Sequence, residues 1–484
     1  TRDKGELPCP KPDRLTGVQL VQKILEVVLV PLFNLLLAVY FRKIEITGAD
    51  NVPAHSPVIY TPNHMNSLVD GLLARTRLPR EPSPLASIKL WDIAPLVPLL
   101  SAVGAIPVYR QQDATGTGVA ADNRDMFAAC EEALAANACI VLFPEGESHA
   151  GSELLQLKTG VARIALGAEQ HLGPLGIRII PVGLNFDAKQ TFRSRVLISI
   201  GEPVDPVAGM TGIDATCRES VEQVMRLVEE GIKSVTLNYP SWEEAKLIQR
   251  AAALYDSGKR QGDSRASDSL AEEFPVQKQL ADAYLRTKQH NPRRVARIVD
   301  AVNSYERLLR VLSVRHEHVI GEHPKLLQAV YSLRKLSLFL VRLPLALMGV
   351  FLNAVPFFLT RLLSKLKIRP DRQSTAKLFG GLILYPLCWT AQAQLLGSET
   401  FPALAWWLLA PLCGIASLLF SERHAQLLEE LRTYLKLNTH AEMRQELAER
   451  LEIVSIEVAE LLAFDAQSRD PATLGVLPRD VDGI

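Results

Sequence analysis

The sequence predicts an α/β domain with a mixed, mainly parallel sheet flanked by helices, followed by a helical, membrane-embedded C-terminal region. Short apolar runs alternate with helical stretches between about residues 43 and 208, and polar clusters follow several of these runs. Long uncharged apolar runs then appear after residue 330. Alternation of this kind is typical of a sheet covered by helices, and functional residues gather at the strand ends of such sheets.

Composition narrows the possible functions. The chain has 484 residues, enough for two or three domains, and its 53 Lys and Arg balance 53 Asp and Glu. This balance argues against the basic field typical of nucleic-acid binders. The 6 cysteines lack CxxC or metal-ligand spacing, which predicts free thiols in a reducing compartment and no metal site.

The chain divides into consecutive segments of different composition. The mean hydropathy is slightly positive at +0.10, so the apolar residues of this highly charged chain must be concentrated in part of it. We expect an N-terminal tail with an interfacial or membrane helix (1–42), an α/β domain (43–240), a helical extension (241–330), membrane-embedded helices (331–420), and a C-terminal helix with a tail (421–484).

The first apolar helix lies near the N-terminus. The first 14 residues or so are rich in proline and charge, and no cleavable signal peptide is visible. Val27–Tyr40 is uncharged, contains Pro31 and has charges on both sides. It is shorter than the roughly 20 residues that a membrane span needs. We therefore expect a helix that lies in the interface or dips into one leaflet, with a buried core helix as the alternative.

The α/β domain is defined by apolar runs bounded by turn residues and separated by helical stretches. The helices expected between strands include Gly118–Ala136 and Gly160–Glu169. The runs expected to form strands are Ile44–Thr47, Pro57–Tyr60, Ala105–Tyr109, Ala138–Phe143, Ile177–Gly183 and Val196–Ile200.

A histidine and an aspartate follow the second of these strands. His64 comes just after the apolar run, and Asp70 lies where the next helix should begin. The carboxylate can bind one imidazole nitrogen and leave the other as a proton acceptor for a substrate hydroxyl. Alternatively, His64 caps the helix and Asp70 is a solvated first-turn acid, favoured there by the helix dipole.

Basic and acidic residues end the other strands. Arg110 follows GAIPVY and offers a planar fork suited to phosphate. Glu145 and Gly146 lie in a turn after the strand VLF, where backbone N–H groups can form an anion site. Lys158 precedes a helix and offers a point charge. A surface salt bridge is the alternative role for Arg110.

These blocks, in this order, resemble the glycerolipid (PlsC-type) acyltransferase superfamily over about residues 30–420. Its first motif is usually His-x4-Asp, whereas HMNSLVD has one residue more. That spacing is similar to the fungal-type glycerol-3-phosphate and dihydroxyacetone-phosphate acyltransferases, with a pattern close to HANQFVD. GAIPVYR and FPEGESH also resemble that subfamily's GAIPV and FPEGGSHD, from which Glu147 and Ala150 depart.

The resemblance implies acyl transfer from acyl-CoA or acyl carrier protein to the sn-1 hydroxyl of glycerol 3-phosphate, giving lysophosphatidate. It implies no cofactor, metal ion or covalent acyl-enzyme. His64 would be the general base and Asp70 would orient it, while Pro181 would shape the strand edge. The residues expected to bind substrate are Arg110, Glu145, Gly146, Lys158, Asn66 and Ser148.

The second half of the chain is helical. An apolar stripe predicts a helix over Asp214–Ser234 that packs on the sheet, and a further helix is expected over Arg294–Leu312. Arg294 and Arg297 on that helix fit a solvated face better than a phosphate site. His316 and His318 are poorly spaced for binding a metal ion together. A charged helix is expected over Glu429–Leu462.

Two apolar runs predict a transmembrane hairpin. Leu378–Ser398 and Phe401–Phe420 are each about 20 residues without a charge, and a buried helical pair is the alternative. The segment Arg361–Lys377 carries Asp371 as its single acid among several cations, which predicts a cytoplasmic loop. Leu336–Leu363 should then enter and return, or lie flat, bending near Pro344 or Pro356.

We therefore expect an integral membrane enzyme whose active site faces the cytoplasm, in the bacterial inner membrane or the endoplasmic reticulum. Its partners would be membrane lipid, acyl-CoA or acyl carrier protein, and glycerol 3-phosphate, with no nucleic acid. Dihydroxyacetone phosphate or a lysophospholipid such as lysophosphatidate is the alternative acceptor. A non-catalytic membrane scaffold is the alternative from another class. A transporter fits poorly, because no internal repeat is visible.

Overall fold

The computed structural model describes residues 17–93, 97–109, 123–210, 212–259, 269–314, 316, 325–363, 366, 368–396, 405–422 and 441–469. The strands are β1 Phe41–Thr47, β2 Val58–Pro62, β3 Pro82–Ser87, β4 Ile106–Val108, β5 Cys139–Val141, β6 Arg178–Phe186 and β7 Ser194–Ile200. The helices are α1 Gly17–Tyr40, α2 Leu68–Arg77, α3 Val97–Ala102, α4 Arg124–Ala135, α5 Gly160–Leu172, α6 Arg218–Val235, α7 Trp242–Lys259, α8 Leu270–His290, α9 Pro292–Leu312, α10 Lys325–Leu363, α11 Gln373–Leu396, α12 Ala405–Glu422 and α13 Ala441–Arg469.

The strands form one sheet in the order β1-β7-β6-β2-β5-β3-β4. In its centre, β2 pairs in parallel with both β5 and β6, and β3 pairs in parallel with β4 and β5. The connection between the neighbours β6 and β7 is shorter than the dozen residues that a parallel crossover needs, so these two run antiparallel. The predicted fold class, a mixed and mainly parallel sheet flanked by helices, is confirmed.

Every strand predicted from an apolar run is present, but β3 was missed. Its sequence, Pro82-Ser83-Pro84-Leu85-Ala86-Ser87, has two prolines, which normally argue against an interior strand because they cannot donate to a ladder. The first half of β3 pairs with β5 and the second half with β4. Because each half pairs on one side only, the strand tolerates prolines that a fully paired strand would not.

The helices fall into two compact units. The first unit comprises Thr1–Ser148, Gln156–Leu184 and Ile198–Val235, and the second comprises His149–Leu155, Asn185–Leu197 and Thr236–Ile484. In the first unit, α6 buries Val221, Val224, Val228 and Ile232 as the predicted stripe.

Helix α1 has two apolar faces. Phe33 and Leu37 are buried on one face, at 3% and 0% exposure. Val27 and Leu35, on the opposite face, are 72% and 56% exposed. The helix runs unbroken through Pro31. The core-helix alternative is therefore correct for one face, and the other leaves an apolar stripe uncovered within its unit.

In the second unit, α13 completes the core of the helical extension. Leu447, Val454, Val458 and Leu461 are fully buried among side chains of α7, α8 and α9. Arg297, expected on a solvated face, forms ion pairs with Glu457 and Glu460 of α13 at 3.5 Å. The helical extension and the C-terminal helix, expected as separate segments, thus share one core.

Helix α10 packs against α12 with its first half and against α11 with its second half. Phe339 lies beside Phe420, near the end of α12, with 5.1 Å between ring centroids. Leu363 packs on Gly380, near the start of α11. Between these contacts, the Asn353 side chain donates to a backbone carbonyl of α12 and accepts from a tryptophan of α11. Each half of α10 is therefore antiparallel to the helix that it touches.

The start of α11 and the end of α12 meet at the tip of the β6–β7 hairpin (residues 187–193). Ser374 Oγ donates to the Lys189 carbonyl at 2.7 Å, and Arg193 binds Glu422 through hydrogen bonds of 2.5 and 3.0 Å. A straight α10 would separate Ser374 from Glu422 by roughly 45 Å, at 1.5 Å per residue. α10 therefore bends, while the predicted path that enters a membrane and returns, or lies flat on it, stays a prediction.

Two prolines, Pro344 and Pro356, lie between the contacts of Phe339 and Leu363 and allow α10 to bend. The carbonyl that the second proline leaves without a donor is satisfied by a neighbouring helix. A proline has no N–H to donate to the carbonyl four residues earlier, which for Pro356 belongs to Leu352. That carbonyl instead accepts a hydrogen bond from Gln392 Nε2 of α11 at 3.0 Å. The kink is thus stabilised by a side chain that replaces the missing backbone donor.

Two of the described helices are long and apolar enough to cross a membrane, Arg342–Leu363 and Ala405–Glu422. The second matches the predicted run Phe401–Phe420. The first is the bent part of α10, which the sequence led us not to expect as a span. The predicted run Leu378–Ser398 forms most of α11 but does not meet the same criterion, because Gln392 and Gln394 lower its hydropathy.

Candidate functional site

The carboxyl ends of β2, β5 and β6 meet at one edge of the sheet. Tyr60 of β2 is opposite Val141 of β5, and Pro62 is opposite Val182 of β6. The parallel register continues past β2, since Leu142 N donates to the Tyr60 carbonyl at 3.1 Å. The loops that follow these strands carry most of the residues predicted for the site.

His64 and Asp70 form a hydrogen-bonded pair. Nδ1 of His64 lies 3.0 Å from Oδ2 of Asp70, and the aspartate side chain is fully buried. The same oxygen accepts the backbone N–H of Asn66 at 2.6 Å. Within the described residues, the other oxygen, Oδ1, has no hydrogen-bond partner. The predicted contact between the two side chains is present and Asp70 is not a solvated first-turn acid, while their roles as base and orienter stay predictions.

The loop between the two residues is strained at Ser67. This residue precedes α2 and has φ 50° and ψ −127°, a conformation that costs a non-glycine residue about 1–3 kcal/mol. The His-x5-Asp spacing is one residue longer than the motif usual in the family that it resembles. With this spacing, Nδ1 of His64 and Oδ2 of Asp70 lie within hydrogen-bond distance.

Glu145 holds the backbone of the histidine. Its Oε1 accepts the N–H of His64 at 2.6 Å, and the residue is 1% exposed. The ring of Phe143, two residues earlier in the same turn, stacks on the imidazole with 4.0 Å between ring centroids. The expectation that Glu145 binds a substrate hydroxyl remains a prediction, because one of its oxygens already positions His64.

Asn63 was missed by the sequence analysis. Its Oδ1 accepts the N–H of Leu184 at 2.7 Å, and its Nδ2 donates to the Leu184 carbonyl at 3.3 Å. This reciprocal pair fixes the residue before His64 to the end of β6. The sequence does show an amide directly before a histidine at a strand end. It does not show the partner of Asn63, because that partner is a backbone group and any residue type can supply it.

Gly146 and Lys158 lie together beside this turn. Gly146 has φ 76°, which favours glycine, and a Cβ there would lie 3.3 Å from Cγ of Lys158. The N–H of Lys158 donates to the Pro144 carbonyl at 2.7 Å. The backbone therefore ties the lysine to the turn, and its exposed side chain crosses the glycine.

The other residues predicted for the site lie in different environments or outside the described residues. Asn66 is fully buried and Ser148 is partly exposed. Arg110 lies outside the described residues, directly after the Tyr109 backbone, which is held by Asn123. Pro181, expected at a strand edge, lies within the interior strand β6 and packs against α6 at Gly231.

The site can accept a proton. If Nδ1 of His64 donates to the buried carboxylate of Asp70, Nε2 is left with a lone pair. The imidazole is held from three sides, by Asp70, by the Glu145 contact to its backbone and by the Phe143 ring. Among the described residues, no cluster of His, Cys, Asp and Glu could hold a metal ion, and the described cysteines are free.

Residues 43–185 match the family model described as Acyltransferase. This part of the chain is therefore similar in sequence to acyltransferases. The match begins in β1, ends in β6 and includes every side chain of the site described above.

Three curated relatives are similar to parts of this chain. Glycerol-3-phosphate O-acyltransferase 2 of Saccharomyces cerevisiae is 28% identical over 57% of this chain. An uncharacterised acyltransferase of Schizosaccharomyces pombe is 31% identical over 52%, and glycerol-3-phosphate O-acyltransferase 1 of S. cerevisiae is 34% identical over 26%. The chain covers 38%, 37% and 17% of their respective lengths.

A solved structure gives a more distant match. The 1-acyl-sn-glycerophosphate acyltransferase PlsC from Thermotoga maritima aligns with 44% of this chain and 80% of its own, at 18% identity and a TM-score of 0.32. A match at this level of similarity carries no argument about the fold or the function.

Proposed function

We propose that this protein transfers a fatty acyl group from acyl-CoA or acyl carrier protein to the sn-1 hydroxyl of glycerol 3-phosphate, producing lysophosphatidate. The observation that carries the proposal is the 3.0 Å contact between His64 and the buried Asp70, at the strand edge of the region that matches the Acyltransferase family model. The names of two relatives, glycerol-3-phosphate O-acyltransferases, support the choice of acceptor.

His64 acts as a general base in this proposal. Its Nε2 takes the proton from the sn-1 hydroxyl as the oxygen attacks the thioester carbonyl. The tetrahedral intermediate collapses, the C–S bond breaks, and the imidazolium returns the proton to the leaving thiolate. Asp70 stabilises the imidazolium through the Nδ1 hydrogen bond, and the stacked Phe143 ring adds a cation–π contribution.

The phosphate of the acceptor would bind on the other side of the Glu145-Gly146 turn. Lys158 is tied to this turn by its backbone and offers a charge beside it. Arg110 follows β4 and would supply a bidentate donor, and Asn66 and Ser148 would bind the polyol. Glu145 has a positioning role first, since its carboxylate holds the His64 N–H.

The second unit would hold the protein in a membrane. Leu347, Phe351 and Phe358 of α10 are 59%, 69% and 62% exposed, and apolar side chains of this size are normally covered. α10 would enter one leaflet and return, while α11 and α12 form the hairpin. The cations of the α10–α11 connection then favour the cytoplasmic face, where acyl-CoA is found. The outer stripe of α1 would lie in the interface.

This topology has its own test. Single cysteines placed at positions 330 and 370 should react with an impermeant thiol reagent from the same side of sealed vesicles. Labelling from opposite sides would show that α10 crosses the membrane once.

The assay for activity compares acceptors and one variant. Purified protein with radiolabelled acyl-CoA should acylate glycerol 3-phosphate faster than dihydroxyacetone phosphate or lysophosphatidate. His64→Ala should lower turnover by about 10³-fold, within the range expected for removal of a general base. The matched control is His171→Ala, because the His171 side chain is 61% exposed and pairs with Glu131 on the surface of the same unit.

Each alternative predicts a distinct result. Preference for another acceptor would keep the mechanism and change the substrate. A non-catalytic scaffold would transfer no acyl group to any acceptor, although the closed pair of His64 and Asp70 speaks against that. Full turnover in His64→Ala would remove His64 as the base.

A further inference from the structure

Basic side chains gather where the β6–β7 hairpin tip meets the connection between α10 and α11. We define the basic cluster as Arg361, Arg369, Arg372 and Lys377, all in the second unit. The described part of this region also contains the acids Asp187, Asp371 and Glu422. The sequence analysis used these cations for membrane orientation only, and neither the acyl-transfer site nor the helical core uses them.

The backbone of the hairpin tip builds this cluster. The Lys377 ammonium donates to the Gln190 carbonyl at 2.5 Å, and the Gln190 side chain donates to the Pro370 carbonyl at 3.3 Å. Burial lowers the pKa of Lys377, and the neighbouring Arg361 charge lowers it further. Lys377 and Arg361 are therefore close enough to repel one another, and the lysine is held in place by a neutral carbonyl group.

The cations of this region outnumber its acids. Asp371 is 1% exposed and accepts from Arg369 at 3.2 Å. Glu422 is bound by two nitrogens of the Arg193 fork. Asp187 is bound by Arg195 at 2.9 Å. Each of the three acids thus balances one arginine, and the sum of the charges over the region stays positive. A group of like charges of this kind is stabilised by an anion.

Exposed apolar side chains adjoin the cluster. Phe358 and Leu362, on the turns of α10 around Arg361, are 62% and 60% exposed, and Leu366 is 57% exposed. A membrane leaflet has phosphate groups at its surface and acyl chains beneath them. A band of Lys and Arg next to exposed apolar residues is complementary to both layers. A soluble anion would interact with the cations but would gain nothing from contact with the adjoining apolar side chains.

We propose that the basic cluster binds the headgroups of anionic phospholipids at the membrane surface. The phosphate would contact Arg361, Arg372 and Lys377, with the acyl chains against α10. These residues are different from those proposed to bind the acceptor. The inference uses the membrane placement proposed above, but it does not depend on which reaction the enzyme catalyses.

The experiment compares lipid binding by the full chain and two double variants. Arg361→Gln/Arg372→Gln removes two exposed cations of the cluster, on the two helical segments that flank the connection. Arg293→Gln/Arg307→Gln is the matched control, with the same change of charge on exposed positions of α9. Each protein is placed in phosphatidylcholine nanodiscs with a rising fraction of phosphatidylglycerol, and retained lipid is counted after detergent extraction.

The wild type and the control should retain phosphatidylglycerol in preference to phosphatidylcholine. The cluster variant should lose about 30-fold in this preference, because each cation near a membrane surface contributes about a fivefold attraction. The preference should weaken as salt rises. Acyl transfer in phosphatidylcholine alone should be unchanged in the variant, which separates a failure of this site from a failure of the catalytic proposal.

Three results would overturn the inference. One is equal retention of the two lipids by the wild type, and another is an equal loss in the control and the cluster variant. The third is displacement of the retained lipid by millimolar inorganic phosphate or glycerol 3-phosphate, because the cluster would then be a site for a free phosphate.

Discussion

Amide side chains serve different purposes in residues 43–185 and in the apolar helices. Asn63 binds both backbone groups of Leu184 and fixes the residue before the proposed catalytic histidine. Gln392 binds the Leu352 carbonyl that Pro356 leaves without a backbone donor. Asn63 fixes the position of a loop next to a sheet whose strands already pair with one another. Gln392 supplies a hydrogen bond to a carbonyl that has no donor within its own helix.

We expect the two kinds of amide contact to affect different properties, the turnover rate in one case and the stability of the fold in the other. Polar contacts around His64 position a reacting atom, so losing one should lower turnover with little effect on unfolding. Polar contacts among α10, α11 and α12 join helices whose apolar surfaces gain little from one another in lipid, so losing one should lower stability. The predictions that follow test this division, from the largest expected effect to the smallest.

Asp70→Asn should lower turnover by about 10³-fold and leave the thermal unfolding temperature nearly unchanged. The amide can still occupy the site, but it cannot stabilise the imidazolium that forms when His64 takes a proton. Steady-state kinetics and a melting curve measure both effects. Asp125→Asn, on the exposed first turn of α4, is the control and should be unaffected. Turnover within tenfold of the wild type would contradict the role of Asp70.

Glu145→Ala should lower turnover by about 100-fold, because the N–H of His64 loses its acceptor and the loop is no longer fixed. Glu145→Gln retains an oxygen for that N–H and should recover most of the activity. Measurement of kcat and KM for both variants distinguishes the two roles of the carboxylate. If glutamine is as damaging as alanine and raises KM for the acceptor, the charge itself binds substrate.

The core of the helical extension should lose stability in acid through His316. Its imidazole lies 2.7 Å from the Tyr305 hydroxyl and 2.6 Å from Ser257 Oγ, and burial lowers its pKa from 6.5 to about 4. Between these values the unfolded chain binds a proton that the folded chain does not. Each pH unit of acidification in that window should therefore cost about 1.4 kcal/mol.

The measurement is the free energy of unfolding at several pH values between about 4 and 7, which spans the window between the two pKa values. His316→Gln should flatten the dependence, because glutamine can still bond to Tyr305 and Ser257 but does not titrate in this range. Equal slopes in the wild type and the variant would show that His316 does not carry the effect.

Gln392→Leu should destabilise the apolar helices by about 1 kcal/mol, because the Leu352 carbonyl would be left without a donor. Gln394→Leu is the matched control, since Gln394 is exposed two residues further along α11. Resistance to proteolysis in nanodiscs is the readout. A smaller loss in Gln392→Leu than in the control would contradict the role given to this side chain.

The sequence predicted the contact between His64 and Asp70 because the two residues lie close together along the chain. The two residues lie within one loop and one helical turn, so their spacing limits where their side chains can meet. Asn63 and Glu145 differ, because each binds backbone of a distant segment and a main-chain partner has no sequence signature. The strand β3 was missed for a related reason, since its prolines are acceptable only with its particular pairing on each side.

The apolar stripe of a helix predicts which face is buried but not what covers it. The sequence therefore predicted the helix now seen as α13 without predicting that it packs on α7, α8 and α9. The sequence predicted a bend of α10 near Pro344 or Pro356. The side chain that bonds to the carbonyl freed by Pro356, Gln392, could be identified only from the packing of α11 against α10.

The packing of α13 has a consequence for biosynthesis. The nascent chain delivers α7, α8 and α9 first and the three apolar helices next, and only then Leu447, Val454, Val458 and Leu461, which fill the core. Until the ribosome has translated that last segment, the earlier helices present an open hydrophobic groove. In the membrane placement proposed above, insertion of the apolar helices would precede closure of the groove, and a chain that ends before α13 would reach the bilayer with the groove exposed to quality-control proteases.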